Sequence, residues 1–154
     1  MPNVRPIALL AGRLAYAYVH DVSITVFTMP KWVDADVYRM LEETTHLGEN
    51  ITATATISHF YGEIFGAHQR KLIVDWLAAR KLASSPRNAL VTDSQVMRGA
   101  LTAYAWLTQA ETKAFEPSDR VALCAWVTRG LRASPTEVRS ALEECYRLVG
   151  KQPP

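Results

Sequence analysis

The hydrophobic period of this chain switches repeatedly between two and about 3.6, and that alternation constrains the fold more than any other feature. Residues 14–20 set Leu14, Tyr16, Tyr18 and His20 against Ala15, Ala17 and Val19, and residues 23–28 are rich in β-branched and aromatic types. Two strands follow, joined by a hairpin at His20 to Ser23. Residues 51–58 are the clearest strand: Ile51, Ala53, Ala55 and Ile57 share one parity, Thr52, Thr54, Thr56 and Ser58 the other. Asn88 to Thr92 and Thr112 to Phe115 supply two shorter strands. Helical spacing fills the intervals. Asp34 is a candidate N-cap ahead of Val37, Met40 and Leu41, with Gly48 as terminator; Leu72, Ile73, Trp76 and Leu77 form a second stripe after Gly66. From Asp93-Ser94 a third helix carries Met97, Ala100, Leu101 and Tyr104, with Val96, Ala103 and Leu107 alongside. Being apolar around much of its girth, it is expected to be the central, most buried helix, and Gly99 to mark a close approach by another element. A fourth runs from Pro117-Ser118 through Leu123 and Val127 to Gly130. The last begins at Ser134-Pro135-Thr136-Glu137, which combines a serine cap, a proline at the first helical position and a glutamate three residues after the cap.

Strand, strand, helix, strand, helix, strand, helix, strand, helix, helix is the order of an α/β protein with parallel strands and right-handed crossovers. One domain over residues 1–150 and a disordered tail at 151–154 are expected. With 154 residues, 49% of them hydrophobic and 21% charged, one core is enough without disulfides or metal. A formal charge of +2 is too weak a basic field for a nucleic-acid partner. Cys124 and Cys145 sit in apolar helical stretches and read as core residues of a protein in a reducing compartment. The apolar run from Ile7 to Gly12 is too short for an export signal or a membrane span, so the cytoplasm is the expected location.

The stretch Val91-Thr92-Asp93-Ser94-Gln95-Val96-Met97-Arg98-Gly99, leading into Trp106 and Phe115-Glu116-Pro117, together with the element order, resembles the SpoIIAA-like or STAS-like domains over roughly residues 13–130. The resemblance implies a small, mostly parallel sheet with helices mainly on one face, in a regulatory or scaffolding module rather than an enzyme. The helix from Pro135 would be an addition to it. Some anti-sigma-factor antagonists of that family carry an Asp-Ser pair at a helix start, where the serine is phosphorylated. Asp93-Ser94 is similar locally, but it follows the fourth strand, one unit later than the family's serine, and that role is not carried over.

No enzyme active site is legible. The carboxyl ends of parallel strands would gather Ser58, His59, Asp93, Ser94 and Glu116 at one rim, a candidate binding site. A serine nucleophile needs a base and an oxyanion hole, and the chain has no G-x-S-x-G elbow. Ser94 and Asp93 therefore read as helix-capping residues. Arg98 can reach back to Asp93 or across to Glu116 in a structural salt bridge, or else hold an anionic ligand. His20, His46, His59 and His68 lack metal-site spacing, His59 reads as a partly exposed loop residue near Glu63, and no phosphate loop points to a cofactor.

Two functions follow. The favoured one is a non-catalytic module that binds a protein partner or a second copy of itself. Crossovers between strands taken in order leave one sheet face uncovered; with the alanines under the helices, Tyr16, Tyr18, Thr52, Thr54 and Thr56 would form that open face. The alternative is a small-ligand or lipid-binding domain of SEC14-like type. It needs a largely apolar cavity with a few polar groups, and the short helices promise little spare volume.

Overall fold

The strand-forming segments assemble into one six-stranded sheet in a computed structural model that describes residues 3–48, 53–82 and 84–154. The strands are β1 (Val4–Leu9), β2 (Leu14–Val19), β3 (Val22–Phe27), β4 (Ala55–Phe60), β5 (Arg87–Val91) and β6 (Glu111–Phe115), and they lie side by side in sequence order. β1, β2 and β3 are antiparallel, as tight turns between them require. β3 to β6 are parallel, each pair joined by one helix: α1 (Asp34–Gly48), α2 (Ala67–Ala79) and α3 (Gln95–Thr108). After β6 come α4 (Arg120–Thr128) and α5 (Pro135–Leu148).

The sequence reading misses β1. Arg5 and Pro6 interrupt any alternation there, and the register with β2 shifts between Val4 and Ile7. Proline is tolerated because β1 is an edge strand. The strand expected at 51–58 begins only at Ala55; residues 53–54 form a bend whose next peptide is held by the Asp21 carbonyl, and 51–52 lie outside the described residues. α1 starts at Asp34 itself, so that residue lies in the first turn rather than capping it.

Both faces of the sheet are covered, which corrects the expectation of an open one. On one side α1, α2 and α3 pack over Tyr16, Phe27, Phe60 and Leu90, the common side that same-handed crossovers demand. On the other, α4 and α5 place Leu123, Val127, Val138, Leu142, Cys145 and Tyr146 over Val22, Ile24, Ala55 and Ile57. Ala15 and Ala17 lie, as the size argument requires, where a helix backbone comes close, but the helix is α5, which packs across β1, β2 and β3. Tyr16 and Tyr18 consequently point to the α1–α3 side, and they are 8% and 1% exposed. Neither offers a surface to a partner. Thr54 is exposed in the bend before β4, and Thr52 is outside the described residues.

The capping box at α5 is complete. Glu137 N–H donates to Ser134 Oγ (3.2 Å) and Ser134 N–H donates to Glu137 Oε2 (2.9 Å). Ser134→Ala should cost about 0.5–2 kcal/mol in urea denaturation. An unchanged midpoint would mean that solvent satisfies that helix end equally well. Cys124 and Cys145 are free and buried in α4 and α5, and burial pushes their thiols up to about 11 and about 12. α3 departs most from expectation. None of its residues is buried, and Val96, Trp106 and Leu107 are 80%, 83% and 78% exposed. A helix apolar all round can bury only the side that meets the sheet, and nothing among the described residues covers the other. No helix among those residues is long and apolar enough to cross a membrane.

Candidate functional site

Period-two alternation and in-order pairing carry the hydroxyl face of the sequence across three strands. Ser23 pairs with Thr56 and Thr56 with Asn88 in one row; Tyr16 pairs with Thr25 and Thr25 with Ser58 in the next. These small polar side chains lie under α1, α2 and α3. They do not fill the layer as leucines would, and a cavity of about 320 Å³ remains between sheet and helices. That lies at the lower end of the roughly 300–1,000 Å³ typical of small-molecule sites.

The roof is apolar. Met40 and Leu41 come from α1, Ile73 and Leu77 from α2, and Ala100 and Leu101 from α3. Aromatic rings close the end at which the parallel strands finish: Phe27 and Phe60 stack at 4.3 Å, and Phe65 meets both edge-on at 5.6 and 5.2 Å. Trp32 backs Phe65 at 4.5 Å and donates from its indole nitrogen to the Glu63 carbonyl at 3.0 Å, which holds the β4–α2 loop in place. At the other end Thr56 Oγ1 donates to Asn88 Oδ1 (2.6 Å), and Asn88 donates to the Ser85 carbonyl (2.9 Å).

The remaining floor hydroxyls are differently placed. Among the described residues, those of Tyr16, Ser23, Thr25 and Ser58 make no hydrogen bond, yet they are not sealed in. The only fully enclosed side-chain polar atom without a partner among those residues is His20 Nδ1. Buried polar groups are normally satisfied. A row of hydroxyls opening into an otherwise apolar space is therefore a set of contacts held ready for a bound molecule or for water. Burial pushes the Tyr16 phenol up to about 12, with Tyr18 adding to the shift, so it enters the cavity as a neutral donor and acceptor.

The residues expected at a common rim are not brought together. Ser58 points into the cavity, whereas His59, one residue on, points to the opposite face and is 5% exposed. It is a strand residue of β4 and not a loop histidine beside Glu63. Its Nδ1 lies 2.8 Å from the Tyr146 hydroxyl, its ring stacks on Tyr61 at 4.3 Å, and burial lowers its pKa to about 4 against a smaller opposing pull from Asp93. Ser94 caps α3, accepting from Met97 N–H at 3.3 Å. Arg98 donates to the Thr92 carbonyl (3.2 Å) and reaches Glu116 at 3.9 Å, the structural bridge that the sequence favours, while Asp93 is exposed. A shallow cleft beside them is lined by Tyr61, Gly62, Glu63 and Ser94, whose hydroxyl oxygen is engaged with the first turn of α3.

Sequence reasoning singled out Thr56 and Ser58 but placed Thr56 on an outer surface; it did not single out Ser23, Thr25, Asn88 or Arg70. The signal for the cavity is present. Short hydroxyl side chains recur at matching parity on two strands that flank a crossover, where a packed α/β layer would carry Val, Ile or Leu. Family models, curated proteins and solved structures compared with this chain gave no match.

Proposed function

We propose that the chain is a non-catalytic binding domain for a small, mainly apolar molecule held between the sheet and α1–α3. The observation that carries this reading is the pairing of a mainly apolar roof with a floor on which Tyr16, Ser23, Thr25 and Ser58 have no hydrogen-bond partner among the described residues, in a space of ligand size. Few convergent polar groups in an otherwise apolar cavity give orientation without chemistry. The reading takes up the SEC14-like alternative. The element order keeps the STAS-like assignment as the accompanying proposal for the fold, and two buried free thiols favour a reducing location such as the cytoplasm. A hydrolase receives no comparable support: Ser58 and His59 lie on opposite faces, and Ser94 is occupied in capping α3.

The test uses N-phenyl-1-naphthylamine, a neutral apolar fluorophore that brightens when it leaves water. It should bind the parent saturably, and Ala100→Phe, which extends a ring from the α3 roof into the space, should weaken it at least about tenfold. Circular dichroism of the variant should match the parent. No saturable binding, or equal binding by a folded Ala100→Phe, would overturn the reading.

The outer side of α3 supports a second reading. Val96, Ala103, Trp106 and Leu107 share one exposed, apolar face, which suits association through α3 with a protein partner or a second copy, in place of the buried tyrosines of the sheet. If the chain self-associates there, Trp106→Asp should convert an oligomer to a monomer in sedimentation without loss of helicity. A parent that is monomeric at high concentration would remove the second-copy version.

A further inference from the structure

Resting on the cavity reading above, we infer that the molecule bound is an apolar acid: a small amphiphile whose carboxylate pairs with Arg70. The size follows from the volume, which at about 320 Å³ lies near the lower end of the roughly 300–1,000 Å³ of small-molecule sites. The charge follows from the lining. Among the described residues that face the cavity, Arg70 alone is charged. It is half-buried, and among those residues no carboxylate pairs with it; its guanidinium donates through Nη1 to the Phe65 carbonyl at 2.6 Å. That bond fixes the head group at the aromatic end and leaves its other donors free. Arg13 is matched with Asp36, Arg87 and Arg129 with Glu111, and Arg120 with Glu143; Arg5, Arg80 and Arg132 pair with no carboxylate among the described residues either, but they are exposed to water and do not line the cavity.

A guanidinium beside an apolar space is costly to leave without an anion, and a planar carboxylate fits its paired N–H groups. Thr25 and Ser58 line the same cavity, each two residues before a ring of the aromatic end, Phe27 and Phe60, and their hydroxyls add donors for an anion there, because hydroxyls donate as readily as they accept. A cationic amphiphile would meet repulsion at Arg70 and gain nothing from the hydroxyls that an anion does not. A neutral alcohol would fill the space but leave the guanidinium unmatched. The anion is therefore the class that the lining selects.

Displacement of bound N-phenyl-1-naphthylamine separates these classes. Decanoate should displace it at about one tenth or less of the concentration needed by decan-1-ol, because a charge-assisted pair adds at least that factor, and decyltrimethylammonium should be weakest. Arg70→Gln should abolish the advantage of decanoate over decan-1-ol while the fluorophore still binds, and Arg70→Lys should keep part of it. Equal displacement by decanoate and decan-1-ol in the parent would overturn the acid and leave the cavity reading standing. Failure of the fluorophore to bind at all would remove both. Should Arg70→Gln not fold, the ranking of the three amphiphiles on the parent decides alone, with Arg70→Lys as the folded variant.

Discussion

Lowering the pH from 7 to 4 is expected to remove about 3 kcal/mol of stability through His59 alone. The ring is buried between Tyr61 and Tyr146 on β4, and its pKa falls from 6.5 to about 4 because burial penalises the charged form, the exposed carboxylate of Asp93 compensating only in part. Between those two values the unfolded chain binds a proton that the folded chain refuses. Stability therefore rises with pH across this window; the contribution is complete above about 6.5 and is lost as pH falls towards 4. A displacement of about 2.5 units at 1.36 kcal/mol per unit gives the magnitude. Carboxylates titrate in the same range, so the measurement is the difference between parent and His59→Gln, whose neutral amide can still meet the Tyr146 hydroxyl. Urea denaturation at pH 7, 5.5 and 4 should show the parent losing about 3 kcal/mol relative to the variant. A difference that stays constant with pH would mean that the ring takes up its proton in the folded state as it does in the unfolded one.

Gly62→Ala should destabilise the protein by about 3 kcal/mol or more, at or above the top of the range for overpacked sites. A Cβ at Gly62 would lie 2.0 Å from the Met29 carbonyl oxygen, 2.7 Å from its carbon and 3.0 Å from Pro30 Cα. All three atoms are backbone. No side chain can rotate aside, so the segments that leave β3 and β4 would have to separate, and with them the turn into Ile64 and Phe65 at the aromatic end of the cavity. Gly99 in α3 is the control with the opposite sign. An added Cβ there meets nothing within 4 Å, which corrects the expectation of a close approach, and Gly99→Ala should stabilise by about 0.5–1 kcal/mol. Thermal denaturation of the pair should move in opposite directions. A melting temperature for Gly62→Ala within a degree or two of the parent would show that the two segments part easily.

What the sequence determined by itself was local. The parity of Ala55, Ile57 and Thr56, Ser58 is a property of one strand, the Ser134–Glu137 box of four consecutive residues, and the Ser94 cap of one helix start; each is decided by neighbours a few bonds away. The order of strands and the placing of α1–α3 on a common side follow from short connections and the handedness of crossovers, which are also properties of consecutive segments. What lies over each face is not local. Whether Tyr16 or Ala15 meets α1–α3 depends on which way β2 turns after an edge strand that the sequence hides behind Arg5 and Pro6, and on where α4 and α5 go after β6. Those two helices return across the sheet because the face bearing Val22, Ile24, Ala55 and Ile57 is too apolar to leave in water, and in covering it they bury His59 among Tyr61 and Tyr146. The cavity was likewise settled only in three dimensions. Each of Ser23, Thr25, Thr56 and Ser58 is an ordinary strand residue alone, and only their alignment on adjacent strands beneath three helices leaves a space with Arg70 at its edge.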